Sequence, residues 1–123
     1  MSTLELQAFE ASVRTEVTDL VEELRGDLGS VLVAYIAGVR ETRAVREWID
    51  GDRHPRAAQL SRLRLAFRLT KLLRESNSPR VIQAWFQGMN PHLNDVAPAR
   101  VIRDSHEDDS RLLDAARAFA FNG

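Results

Sequence analysis

The amino-acid sequence predicts an all-α protein of about seven helices. Apolar residues recur at steps of three and four along most of the chain, and no segment alternates apolar and polar residues as a half-buried strand does. Gly, Pro and Ser residues punctuate the ends of the periodic runs. At 123 residues and 44% apolar content the chain can bury a real interior, as one domain or as two very small ones sharing a core.

The elements follow in order. Leu4, Leu6, Phe9, Val13, Val17, Leu20, Val21 and Leu24 share one face with acids opposite, so residues 3–25 read as a single amphipathic helix closed by Gly26 and Gly29. A short apolar helix from Ser30 to Ala37 ends at Gly38, and a second from about Thr42 to Asp50 stops at Gly51. Pro55 stands at the start of a long helix to about Ser76. Its buried stripe is Leu60, Leu63, Phe67, Leu69, Leu72 and Leu73, with Arg56, Arg62, Arg64, Arg68, Lys71 and Arg74 largely outward. Ser78-Pro79 opens a helix through Gln87, and Gly88 to Val96 is a loop around Asn90-Pro91. Pro98 opens a short helix to about Asp104, and a final helix runs from about Glu107 to Phe121.

The charge is unevenly placed. Between Arg40 and Arg80 stand eleven basic and five acidic residues, a local +6 inside a chain whose net charge is −1. Phosphate binding follows the local field, so a basic segment in an otherwise acidic small protein is a candidate nucleic-acid footprint. The lack of cysteine removes disulfides and thiolate metal sites, and three scattered histidines leave little for zinc. Met1-Ser2-Thr3-Leu4-Glu5 has no basic leader character, and the longest apolar run, Val31 to Val39, is far shorter than the ~20 residues a bilayer needs. A cytoplasmic protein without a membrane span is the expectation.

Within the basic segment, Ala34-Tyr35-Ile36-Ala37-Gly38-Val39 is followed by Arg43-Ala44-Val45-Arg46-Glu47-Trp48-Ile49-Asp50-Gly51 and Arg53-His54-Pro55. A small residue at Ala34 lets two helices cross closely, Gly38 takes the turn, and Val45, Trp48 and Ile49 anchor the second helix. This stretch resembles the helix-turn-helix of Xre-type repressors, with a turn about one residue longer than usual. The resemblance implies that Arg40, Thr42, Arg43, Arg46 and Glu47 face the major groove, where Arg reads guanine, while Arg53, His54 and Arg56 meet backbone phosphates. The plain alternative is a three-helix packing motif with a solvated arginine face.

A second signature lies downstream. Trp85-Phe86 ends one helix, Asn90-Pro91-His92-Leu93 forms a loop, and Pro98 starts a short helix carrying Val101-Ile102. This order resembles the C-terminal toxin-binding domain of the Xre/MbcA/ParS antitoxins. The Gly-Gly frequent after that Leu is Asn94-Asp95 here, two residues that also tolerate left-handed turns. The resemblance implies an N-terminal DNA-binding part over residues 1–76 and a toxin-binding part over residues 77–123. It implies a type II antitoxin that blocks a RES-domain, NAD+-consuming toxin and autoregulates its operon on operator DNA. The protein would act as a homodimer or in a toxin–antitoxin hetero-oligomer. Trp85, Leu93 and Ile102 are expected in the core. Asn90, Pro91, Arg100, Arg103 and the tail Ala120, Phe121, Asn122 and Gly123 are the expected toxin-facing residues, although Phe121 equally fits the end of the core stripe. The first helix fits either a dimer contact or a cap on the core. A stand-alone Xre-type regulator is the alternative function.

Catalysis is not expected. His106-Glu107-Asp108-Asp109 concentrates acids at a helix start, where they meet the macrodipole and act as caps. No His-Glu-x-x-His, phosphate loop, dinucleotide turn or nucleophile elbow is present, so neither cofactor nor metal is implied.

Overall fold

The computed structural model describes residues 2–104 and 109–122, Asn122 by its backbone alone. Among the described residues the chain forms eight α-helices and one 3₁₀ turn, with no strand. They are α1 (Thr3–Arg14), α2 (Val17–Leu28), α3 (Ser30–Ala37), α4 (Thr42–Asp50), α5 (Ala57–Arg74), α6 (Pro79–Gln87), the 3₁₀ turn Pro91–Leu93, α7 (Pro98–Asp104) and α8 (Asp109–Asn122). None of these helices is long and apolar enough to cross a membrane.

The eighth helix comes from a break that the hydrophobic stripe conceals. Residues 3–25 are two helices, because Thr15 and Glu16 are extended, with ψ of 133° and 145°. The β-branched residues Val13, Thr15, Val17 and Thr18 lower the helix propensity there. Arg64 stabilises the break: its Nη1 donates to the carbonyls of Ser12 at 2.8 Å and Thr15 at 3.3 Å, replacing hydrogen bonds that a helix end leaves unmade. The stripe is thereby divided. Leu20, Val21 and Leu24 are buried, whereas Leu6, Phe9 and Val13 keep 41–57% of their surface in solvent. Gly26 does not close α2, which runs through it and stops at Gly29, where φ is +85°.

Helix α5 is the central post. Leu63, Ala66, Phe67, Leu69, Leu72 and Leu73 are buried along it, and Leu60 is half-buried. It begins two residues after Pro55, with the Arg56 N–H donating to Gln59 Oε1 at 2.9 Å. Around it pack α1, α2, α3, α6, α7 and α8, while α4 lies on α2 and α3. Residues 1–76 and 77–123 therefore share one hydrophobic cluster, which runs from Ala8 through Phe67 and Phe86 to Ala116.

The expectation that the α5 cations point outward needs correcting. Arg62 donates to the Ala37 carbonyl at 3.0 Å, and Arg64 is taken by the α1–α2 break. The Arg68 guanidinium lies 4.9 Å over the Phe9 ring, and Lys71 pairs with Glu23 at 2.9 Å. Arg74 is exposed yet reaches Asp27 at 3.4 Å. The acids of α2 and the carbonyls at the ends of α1 and α3 supply the acceptors that draw these cations inward. A second tie, from the Arg117 Nε of α8 to the Glu5 carboxylate of α1, closes the far side. The Arg117 hydrogen bond, helped by the Ser2 backbone N–H, holds Glu5 well below the ordinary carboxylate range, at about 2.

Candidate nucleic-acid interface and partner face

The corner between α3 and α4 is built around Gly38. Its backbone is left-handed, with φ +89° and ψ 24°, and its N–H donates to the carbonyls of Ala34 and Tyr35. The following Val39 N–H also returns to Ala34, at 3.0 Å, which stops α3 and turns the chain. A Cβ at position 38 would stand 3.0 Å from Arg62 Nη1, so the left-handed conformation and the close guanidinium both call for glycine. Ala34 and Ala44 are buried at the crossing, and Val45 and Trp48 enter the core beneath α4.

The outer side of α4 carries the expected residues. Arg40, Thr42, Arg43 and Arg46 are exposed, and Glu47 is half-buried among them. Arg43 Nε donates to Glu47 Oε1 at 2.8 Å, and Arg53 Nη1 lies 3.7 Å from Glu47 Oε2. Arg40, Arg43, Glu47 and Arg53 line one shallow depression of about 420 Å³. His54 and Arg56 are exposed beyond it, Arg56 directly ahead of α5. The cations of the basic segment that stay exposed are thus Arg40, Arg43, Arg46, Arg53 and Arg56 at the corner, Arg74 beside Asp27, and Arg80 at the start of α6, and the acids Glu41, Asp50 and Asp52 are exposed at the same corner beside Glu47. This is a smaller patch than a residue count suggests, and it is concentrated on the α4 corner.

The downstream loop has a defined geometry. Asn90 is buried, its Oδ1 accepts the His92 N–H at 3.0 Å, and its carbonyl accepts the N–H groups of Leu93 and Asp95, each at 2.9 Å. Asn94 and Asp95 take left-handed φ values of 56° and 63°, after which Val96 bridges back to Asn90. Leu93 and Ile102 are buried, as is Trp85, which meets the adjacent Phe86 ring edge-on at 5.0 Å. None of the protein-family models, curated proteins or solved structures compared with the chain matches it.

The residues expected to face a toxin are dispersed. Pro91 and Arg100 are exposed, and Arg100 pairs with Asp104 one turn on, at 3.3 Å. Arg103 turns to the N-terminal half instead: its Nη1 donates to the Tyr35 carbonyl of α3 at 2.8 Å, and its guanidinium lies 4.7 Å over the Tyr35 ring. Asn90 faces its own loop. At the end of α8, Ala120 is half-buried with its carbonyl 3.5 Å from Ser76 Oγ, and Phe121 keeps 53% of its surface in solvent. Asn122 closes α8, and Gly123 lies outside the described residues, as do His106, Glu107 and Asp108.

Sequence reasoning missed a groove between α6, the 3₁₀ turn and α8. It has a volume of about 490 Å³ and is lined by Val81, Trp85, Met89, Pro91, Ala118 and Phe119 among others. Met89 is 81% exposed, and the Trp85 indole N–H is buried without a hydrogen-bond partner among the described residues. The only sequence signal was Met89, an apolar residue just beyond the end of a helix.

Proposed function

We propose that the chain is the antitoxin of a bacterial type II toxin–antitoxin system, blocking a RES-type NAD+-consuming toxin and repressing its own operon by binding operator DNA. The observation that carries the reading is one corner: α3 and α4 meet at a left-handed Gly38, with Arg40, Thr42, Arg43 and Arg46 outward and Val45 and Trp48 inward. That arrangement suits a second helix laid in the major groove, with Arg53 and Arg56 against flanking phosphates. The toxin-binding half is supported by the Asn90–Asp95 loop, whose left-handed residues and buried Trp85, Leu93 and Ile102 fit the motif they resemble. Because one helix reads one half-site weakly, operator binding calls for two copies on half-sites about one helical turn apart. Cytoplasmic residence follows from an operator target.

The test is co-purification with the product of the adjacent gene, followed by an NAD+ consumption assay of that partner with and without this chain. A stoichiometric complex with suppressed activity is the expected result. No complex, together with salt-sensitive binding to its own promoter, would leave a stand-alone regulator.

A further inference from the structure

Glu47 occupies an unusual place for an acid on a face that binds phosphates. Helix α4 sets it one turn after Arg43, whose Nε donates to Oε1 at 2.8 Å. Gly51 then takes φ +79°, and the N–H groups of Gly51 and Asp52 both return to the Glu47 carbonyl. That turn folds the chain back and brings Arg53 Nη1 to 3.7 Å from the second carboxylate oxygen. One carboxylate therefore faces two guanidiniums, one for each oxygen. The Glu47 side chain is 24% exposed, against 72% for Arg43 and 50% for Arg53, so the acid forms the floor and the cations the rim.

We propose that Glu47 is a specificity-determining residue of this face, withholding Arg43 and Arg53 from indiscriminate phosphate binding and, on a matched sequence, yielding Arg43 to a base and Arg53 to the flanking phosphate. The proposal rests on the DNA-binding reading above. Ion pairs this exposed are weak and exchange readily, so the arginines are restrained and not locked. Against a duplex that offers only phosphates, an arginine leaving Glu47 abandons a bare carboxylate in the negative field of the backbone. A guanine edge opposite Arg43 takes two of its donors, and a neighbouring cytosine amino group donates to the freed Glu47, so the matched site restores both partners. Discrimination is a difference between two affinities, and here the acid acts mainly by penalising the wrong duplex.

The experiment compares the wild type, Glu47→Gln and Asp50→Asn on two probes across a salt series, read by fluorescence anisotropy. The probes are a random-sequence duplex and the duplex upstream of this chain's own coding sequence. Glu47→Gln keeps the side-chain shape, and far-ultraviolet circular dichroism verifies its helices. Its affinity for the random duplex is expected to rise about tenfold, with the slope of log K against log salt steeper by about 0.9 for each arginine freed. The preference for the upstream duplex should fall about tenfold. Asp50 is exposed on the same helix outside this pair. Its neutralisation should leave both readouts within about twofold of the wild type. An unchanged random-duplex affinity and salt slope for Glu47→Gln, on a wild type that binds DNA, would overturn the proposal alone, as would Asp50→Asn matching it. A wild type that binds neither duplex at low salt would overturn the DNA-binding reading and the proposal together.

Discussion

Two arginine-rich regions of this molecule, the α4 corner and the α5 post, use the same side chain in opposite ways. On α5 the guanidiniums of Arg62 and Arg64 end on the backbone carbonyls of Ala37, Ser12 and Thr15, and Arg68 covers the Phe9 ring. At the corner, among the described residues, Arg43 and Arg53 meet a shared carboxylate at the surface, and Arg40 and Arg46 stand exposed. Helix ends and breaks supply strong acceptors, and long flexible cations within reach are drawn to them. Where no such acceptor lies within reach, arginine stays in solvent and contributes to the external field. Counting charges along a sequence therefore overstates a binding footprint in proportion to the number of helix ends the same cations have to satisfy.

Arg64 separates the two regions most clearly. Replacing it with Met removes a charged donor from two partly buried carbonyls, and the expected loss is about 2 kcal/mol of unfolding free energy, seen as a lower urea midpoint with faster amide exchange in α1. A change under about 0.5 kcal/mol would place Arg64 with the surface arginines instead.

A smaller effect is expected at the Glu5–Arg117 tie, because the Arg117 side chain keeps 41% of its surface in solvent and screening weakens the pair, and it depends on pH. A carboxyl whose folded pKa is lowered, here to about 2 from an ordinary 4.5, contributes stability above the unfolded value and loses it as pH falls through the folded one. Glu5→Gln should therefore melt below the wild type at neutral pH, with the gap closing as the pH drops from 4.5 towards 2. A gap that is constant over that range would mean the tie contributes through packing and not through charge.

The smallest effect on stability belongs to the corner. Arg43→Ala combined with Arg46→Ala should shift unfolding by under about 0.5 kcal/mol, since both side chains are exposed and the Arg43 ion pair is a surface one. On the DNA-binding function proposed above, duplex affinity should fall, with a salt slope shallower by about 0.9 for each phosphate that an arginine no longer neutralises. Retained affinity would overturn the proposed placement of a DNA-reading surface on α4.

The legible parts of this fold are those with local punctuation. Gly38, Gly51, Ser78-Pro79 and Pro98 mark ends that α3, α4, α6 and α7 obey, because a left-handed turn or a missing N–H acts on its own neighbours. The left-handed pair Asn94 and Asp95 was legible for the same reason. The break at Thr15 was not, since both helices continue one apolar stripe and neither Gly nor Pro stands between them. Nor was the inward turn of the α5 cations, whose partners lie 25 or more residues away in sequence. At the site, the composition of the α4 face could be read along one helix. The Arg53–Glu47 approach depends on the Gly51 turn, and the groove beside Met89 needs three separate elements.

The position of α5 also sets the order in which this molecule can be completed during synthesis. Helices are made from the amino end onward, and domains close as units. Part of the α5 post is covered by α8, whose Leu112, Ala115 and Ala116 are buried and which leaves the ribosome after every residue of the α3–α4 corner. Until α8 arrives, the α5 post keeps an uncovered apolar flank. The amino-terminal and carboxyl-terminal helices therefore complete one shared cluster in a single closing step.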